Sequence, residues 1–151
     1  MNAHEIYSVE QQDYDRAGSA SAAIKLLLRQ KGIDKGIIRR VAIAAYEAEI
    51  NLIIHSEGGK MELTIDDDMI TLEVYDRGPG ISDVMLAQME GFSTACDVAR
   101  NMGFGAGMGL PNIRRNADDF VMASRPSIGT LMVMNFYLKP QDDADKRRMG
   151  I

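Results

Sequence analysis

A two-layer α/β sandwich, with helices on one face of a mostly antiparallel sheet, is the fold class this sequence predicts. Two observations point to it. Helix and strand signals follow one another in the order β-α-α-β-β-α-β-β, and the later strand signals come as two pairs, each joined by a short turn. A length of 151 residues suits one domain with a real core, and a hydrophobic content of 46% with 26% charged residues is ordinary for a globular chain.

Each element has its own signal. Residues 4–10 read as a first strand. Residues 14–31 read as a helix, because Ala17, Ala20, Ile24, Leu27 and Leu28 lie near 3.6-residue spacing, and Gly32 supplies a stop. Asp34 is an N-cap for a second helix whose apolar face begins with Ile37, Ile38, Val41, Ala42 and Ala45, and Glu57-Gly58-Gly59 breaks it after about Ser56. Strand signals at 60–66 and 69–76 flank an Asp-rich turn at 66–68. On the second of these strands Ile70, Leu72, Val74 and Asp76 alternate onto one face. Residues 77–107 read as irregular with a short helix near 82–89. A third helix follows, with Leu110, Ile113, Ala117 and Phe120 on one face and Pro111 in its first turn. Strands at 119–125 and 129–138 close the domain around the turn Pro126-Ser127-Ile128-Gly129, and the charged residues 139–151 read as a frayed tail.

Composition narrows the function classes. A net charge of −5 argues against a duplex-binding protein, which usually shows a basic face. It leaves ATP open, because phosphates can be held by backbone N–H groups. No apolar run reaches the roughly 18–20 residues needed to span a bilayer. The N-terminus lacks the basic and apolar regions of a signal peptide, and a single cysteine, Cys96, leaves no internal disulfide framework, so a cytoplasmic location is expected. Cys96, His4 and His55 do not make a zinc set.

Three blocks carry the chemistry. In the first, Glu47 and Asn51 are four apart and share one helix face, with apolar Ile50, Leu52, Ile53 and Ile54 around them. A solvated polar stripe and a ligand site explain this block equally well. Asn is a poor helix former, however, and both side chains offer hard oxygens to Mg²⁺ or its waters. A carboxylate there is also placed to accept a hydroxyl proton. In the second block, Asp76 ends a strand on its apolar face, ahead of the turn Arg77-Gly78-Pro79-Gly80. A turn alone does not explain an acid on the core side, whereas a donor such as the adenine N6 amine would. Gly78 and Gly80 would let the backbone approach a flat base.

The third block is the run Gly103, Gly105, Gly107 and Gly109. It has no Lys-Ser/Thr end and follows no βαβ strand, so it is neither a Walker A loop nor a dinucleotide fingerprint. It does enter a helix N-terminus, which favours an anion. Ordering glycine costs roughly 0.5–1 kcal/mol more than alanine per residue, so a loop that settles on bound nucleotide competes with a plain linker. Buried and unpaired, Glu47, Asn51 and Asp76 would each cost about 1–3 kcal/mol, and a shared ligand with Mg²⁺ would satisfy all three.

Taken in order, the blocks resemble the GHKL ATPase superfamily over about residues 35–138. Glu47-x-x-x-Asn51 looks like its N box, Asp76-x-Gly78-x-Gly80 its G1 box, Gly103 to Gly109 its G2 box, and Gly129-Thr130 its late Gly-Thr element. Within that superfamily the size and detail are similar to the bacterial anti-sigma factor serine kinases. Gly91-Phe92-Ser93-Thr94, Gly107 to Pro111 and Arg114 to Phe120 resemble the RsbT-like switch kinases, whereas Asn51 to His55 is closer to the RsbW and SpoIIAB branch. The segment between Ser93 and Gly103 is longer than in the switch-kinase pattern.

The resemblance implies a single ATP-binding kinase domain over 1–138. It implies phosphorylation of a serine or threonine on a STAS-domain anti-sigma factor antagonist, with ATP and Mg²⁺ as cofactors. A sigma factor or a phosphatase is a further partner it allows, a homodimer is left open, and neither nucleic acid nor a membrane is implied. Glu47 would be the general base and Asn51 the Mg²⁺ ligand. Asp76 would bind adenine N6, helped by Thr130. Gly78 and Gly80 would flank the base, and Gly103, Gly105, Gly107 and Gly109 would wrap the phosphates. Two competing functions remain at this point. One is a non-catalytic, ATP-dependent binding module that sequesters a sigma factor or activates a phosphatase. The other is a detached histidine-kinase catalytic domain, disfavoured because the chain has no room for a helical dimerisation domain and because Glu47 occupies the base position. His55 is read as a locally packed helix-end residue, and Arg39-Arg40 and Arg114-Arg115 as solvated faces.

Overall fold

The computed structural model describes residues 2–78, 109–125 and 127–139. The chain runs β1 (Ala3–Val9), α1 (Ser19–Gln30), α2 (Lys35–His55), β2 (Gly59–Ile65), β3 (Met69–Asp76), α3 (Gly109–Asn116), β4 (Asp119–Arg125) and β5 (Gly129–Tyr137). The five strands form one sheet in the order β1-β2-β3-β5-β4, antiparallel at every pairing. Among the described residues three α-helices cover one face, with α2 packed between α1 and α3. The expected α/β two-layer sandwich is the observed architecture.

The alternation of the strands explains which face is covered. On β3, Ile70, Leu72 and Val74 are buried while their neighbours stay partly exposed, and on β5 Met132, Met134 and Phe136 follow the same rule. These side chains, with Met61, Leu63 and Ile65 of β2, meet Ile24 and Leu28 of α1 and the stripe Ile38, Val41, Ala45 and Leu52 of α2. Small residues on that stripe, with Ala44 and Ala48 beside it fully buried, let the central helix lie close to its neighbours. Asp34 caps α2 as its sequence predicts, accepting the N–H groups of Gly36 and Ile37 at 2.9 and 3.3 Å. None of the helices among the described residues is long and apolar enough to cross a membrane.

Two helix boundaries differ from the sequence expectation. The helix expected over 14–31 begins only at Ser19, preceded by a 3₁₀ turn at Tyr14–Arg16 and by Gly18 at φ +93°. That left-handed residue breaks the run, and the N–H groups of Ala20 and Ser21 in the helix's first turn are taken by the carboxylate of Glu49 on α2, at 3.1 and 3.0 Å. Glu49 is 1% exposed and sits on the core stripe of α2. A carboxylate there persists because two backbone donors satisfy it, each such charge-assisted bond contributing about 1.5–3 kcal/mol. At the other boundary, α3 stops at Asn116, so Phe120 belongs to β4 and reaches the core from the sheet, with Ala117 just past the helix end. The side chain of Asn116 turns back onto the carbonyl of Asn112 at 2.7 Å and closes the last turn. The short helix expected near 82–89, Cys96, Pro126 and the tail beyond Lys139 lie outside the described residues.

Candidate functional site

Six of the site residues that the sequence singles out lie among the described residues, in two clusters. The first lies where α3 meets α2. Glu47 and Asn51, one turn apart, face the first residue of α3: a Cβ on Gly109 would stand 3.3 Å from Glu47 Oε2 and 3.4 Å from Asn51 Oδ1. The missing side chain therefore lets the N-terminus of α3 rest directly on the carboxylate–amide pair. That N-terminus is also a partial positive pole, which favours an anion. The opposite oxygen of Glu47, Oε1, accepts a hydrogen bond from Asn112 Nδ2 at 3.2 Å. Arg115 donates in turn to Asn112 Oδ1 at 3.2 Å. Arg40 latches the far end of the contact, donating to the carbonyl of Asn116 at 3.1 Å and meeting Asp118 at 3.2 Å. Arg40 and Arg115, expected as solvated faces, thus bind specific acceptors.

The second cluster lies at the paired ends of β3 and β5. Asp76 Oδ1 accepts the backbone N–H of Thr130 at 2.7 Å, and the Thr130 hydroxyl shares a 2.8 Å hydrogen bond with Ser124 Oγ. Burial pushes the Asp76 carboxyl above its ordinary range, opposed by the N–H and hydroxyl of Thr130. Gly129 is held at φ +149°, and a Cβ there would fall 2.3 Å from the Asp76 carbonyl oxygen, so the turn passes over the strand end with no room for any side chain. Gly78 is buried and donates its N–H to the Ile128 carbonyl at 2.8 Å. The turn after β3 is thereby tied to the turn before β5.

Glu47, Asn51, Asp76, Gly78, Gly109 and Thr130 are thus all placed, and Gly80, Gly103, Gly105 and Gly107 lie outside the described residues. One premise of the sequence reading changes. Glu47, Asn51 and Asp76 are each only partly buried. Glu47 and Asp76 also have protein partners, and no side-chain polar atom among the described residues is buried without one. A ligand is therefore not needed to cancel a large desolvation cost; what remains is the chemistry of the free oxygens. His55, one turn beyond Asn51, has its imidazole pushed down by burial, which favours the neutral ring.

The donor set fits Mg²⁺ carried by a triphosphate. Among the described residues no group of three or more acidic, histidine or cysteine side chains gathers to hold a metal. The amide oxygen of Asn51 and the carboxylate of Glu47 are instead a pair of hard donors beside a helix N-terminus. Mg²⁺ is usually bound in this way, through one or two side chains with phosphate oxygens and waters completing the octahedron.

Sequence reasoning missed two residues here. Asn112 carries the same signal that singles out Asn51, a poor helix former inside a short helix. Glu49 was visible as an acid on a stripe of Ile38, Val41, Ala45 and Leu52, where a charge requires a partner.

Comparison with known proteins supports the fold and shows the family. The family model for the histidine kinase-like ATPase domain matches residues 11–136. The chain is 35% identical over 106 residues to the anti-sigma F factor of Caldanaerobacter subterraneus subsp. tengcongensis, covering 67% of this chain and 71% of that protein. It is 33% identical over 106 residues to the anti-sigma F factor of a Thermoanaerobacter species, with the same shares covered. The anti-sigma F factor of Bacillus velezensis is 31% identical over 98 residues, 61% of this chain and 64% of its own. Among solved structures, the mycobacterial sensor histidine kinase MprB superposes with a TM-score of 0.51 at 17% identity, covering 92% of this chain and all of that one, a likeness of fold. The chain belongs to the histidine kinase-like ATPase domain family.

Proposed function

We propose that this histidine kinase-like ATPase domain is a protein serine/threonine kinase of the anti-sigma regulatory type. It would act in the cytoplasm on a STAS-domain antagonist and bind a sigma factor as its second partner. The observation that carries the proposal is the placement of Glu47. Its carboxylate stands on the same helix face as the Asn51 amide, beneath the N-terminus of α3, with Oε1 engaged by Asn112 and Oε2 turned toward Gly109.

On this reading, Asp76 accepts the adenine N6 amine through the lone pairs that Thr130 leaves free, and Gly78, with Gly80 beyond it, gives the base a flat approach. The N-terminus of α3 and the glycine run before it stabilise the phosphate charge. Asn51 offers its carbonyl oxygen to Mg²⁺, which supplies charge neutralisation on the phosphates. Glu47 takes the proton of the attacking serine or threonine hydroxyl as its oxygen bonds to the γ-phosphorus. The bond from that phosphorus to the β–γ bridging oxygen then breaks, and ADP leaves. The anti-sigma F factors named above support the regulatory setting by likeness.

The alternative is a non-catalytic module that binds ATP and sequesters a sigma factor or activates a phosphatase, and one experiment separates the two. Mixed with Mg-[γ-³²P]ATP and STAS-domain proteins from the same genome, the wild-type protein is expected to label one of them. Glu47→Ala should reduce labelling by about 10²–10⁴-fold, the usual contribution of a general base, while ATP affinity by calorimetry changes little. ATP binding without transfer to any STAS protein would favour the binding module.

A further inference from the structure

We infer that Asn112 is the positioning residue for Glu47, and that Arg115 fixes the direction in which Asn112 donates. The inference rests on the kinase reading of Glu47 and assigns to α3 a task beyond meeting phosphate.

The geometry admits one orientation of the Asn112 amide. On one side stands Arg115, whose guanidinium has only donors; on the other stands Glu47, whose carboxylate has only acceptors. With Oδ1 toward Arg115 and Nδ2 toward Glu47, both contacts at 3.2 Å are hydrogen bonds. Flipped, the amide would set donor against donor and acceptor against acceptor. The direction of donation is thus fixed by the chemistry of the two neighbours. The backbone of Asn112 is fixed as well, since its carbonyl takes the Asn116 side chain at 2.7 Å.

The consequence falls on Glu47. This long side chain is partly exposed and, without a partner, would spread over several rotamers. The Asn112 donor holds Oε1, which leaves Oε2, 3.3 Å from the Cβ position of Gly109, as the oxygen facing the phosphate side. A general base must reach the hydroxyl it deprotonates within hydrogen-bond distance, about 2.6–3.2 Å. Because α3 opens at the last glycine of the run, the helix that would receive the phosphates is also the helix that aims the base.

The test measures Mg-ATP turnover, as phosphate transferred to the STAS-domain protein and as ADP released, alongside ATP affinity and thermal midpoint. Asn112→Ala is expected to lower kcat about 10–100-fold, the cost of a misplaced catalytic group, with ATP affinity within about threefold. Arg115→Ala should lower kcat less, and the double variant should be no slower than Asn112→Ala alone, because both act through one contact. Asn112→Asp separates positioning from mere packing. It keeps the Arg115 partner and the fold but sets a second carboxylate against Glu47, so kcat should fall at least as far as in Asn112→Ala.

Unchanged kcat in Asn112→Ala, beside a Glu47→Ala variant that has lost turnover, would overturn this inference and leave the kinase reading standing. Greater turnover in Asn112→Asp than in Asn112→Ala would overturn it too, in favour of a packing role. Additive losses in the Asn112/Arg115 pair would remove Arg115 from the assignment. Wild-type protein without turnover, or Glu47→Ala with full turnover, would overturn the kinase reading and this inference together.

Discussion

The two halves of the candidate site are built by different means. At the ends of β3 and β5 these links each have a backbone group on at least one side: the N–H of Thr130 on the Asp76 carboxylate, the N–H of Gly78 on the Ile128 carbonyl, and Gly129 over the strand end with no space for a side chain. Where α2 meets α3 the geometry is set by side chains, Asn112 on Glu47 and Arg115 on Asn112, beside a glycine whose Cβ position is met first by the side-chain atoms of Glu47 and Asn51. Backbone contacts within a sheet can move only if the sheet moves, whereas side-chain contacts between helices can be exchanged rotamer by rotamer. On the proposed reading, the half assigned to an unchanging base is thus preset, and the half assigned to phosphates and a proton is adjustable.

Gly129→Ala is a severe way to break the preset half. The added Cβ, 2.3 Å from the Asp76 carbonyl oxygen, meets backbone that has nowhere to go, and the residue would also sit at φ +149°. The loss should be on the order of 3 kcal/mol, in the range of strain at a special backbone position. For a domain of this size that corresponds to a fall of roughly 6–12 °C in the thermal midpoint. A midpoint within about 2 °C of wild type would show that the β3–β5 end is as yielding as the helical half.

Gly109→Ala applies the same chemical change to the adjustable half. Here the new methyl meets the tips of Glu47 and Asn51 at 3.3–3.4 Å, and both side chains can rotate aside. Stability should hold within about 2 °C in the midpoint, while transfer to the STAS-domain protein falls about tenfold, or ~1.4 kcal/mol in the barrier. A midpoint drop equal to that of Gly129→Ala would erase the distinction between the halves.

How much of this was legible in the sequence follows the same division. The sheet and its helical cover were legible because alternation on β3 and β5 and the 3.6-residue stripes of α1 and α2 are local patterns, one residue type per position. The site residues were legible as polar interruptions of those patterns. Their partners were not legible from local pattern, and Thr130 came to Asp76 only through the family resemblance: Thr130 is 54 residues from Asp76, Asn112 is 65 from Glu47, and Glu49 is 29 from the N–H of Ala20. A pairing over such distances is decided by the packing of helix on helix and strand on strand. For the same reason the start of α1 was placed too early. Its N-terminus is defined by an acid on another helix, and a local reading sees only a continuing run of small residues.

Asp76→Asn gives the smallest effect and the sharpest distinction. Burial raises the Asp76 carboxyl above its ordinary value. The folded chain therefore holds its proton to a higher pH than the unfolded chain does, and within that window the native state binds more protons. Stability contributed by this group falls as pH rises from the unfolded value through the raised folded one, so at neutral pH the ionised carboxylate works against folding. An asparagine keeps an oxygen for the Thr130 N–H and removes the charge. The variant should therefore melt slightly higher than wild type at pH 7, and the gain should vanish below the unfolded value, where wild type is itself neutral. The amide's second group is a donor, which cannot accept the adenine N6 amine, so the same variant should lose ATP affinity as it gains stability. Thermal midpoints from pH 3 to pH 8, paired with calorimetry at pH 7, check both signs. A lower midpoint at neutral pH would mean that the Asp76 charge helps hold β3 to β5, and would move this residue from ligand binding to the architecture of the preset half.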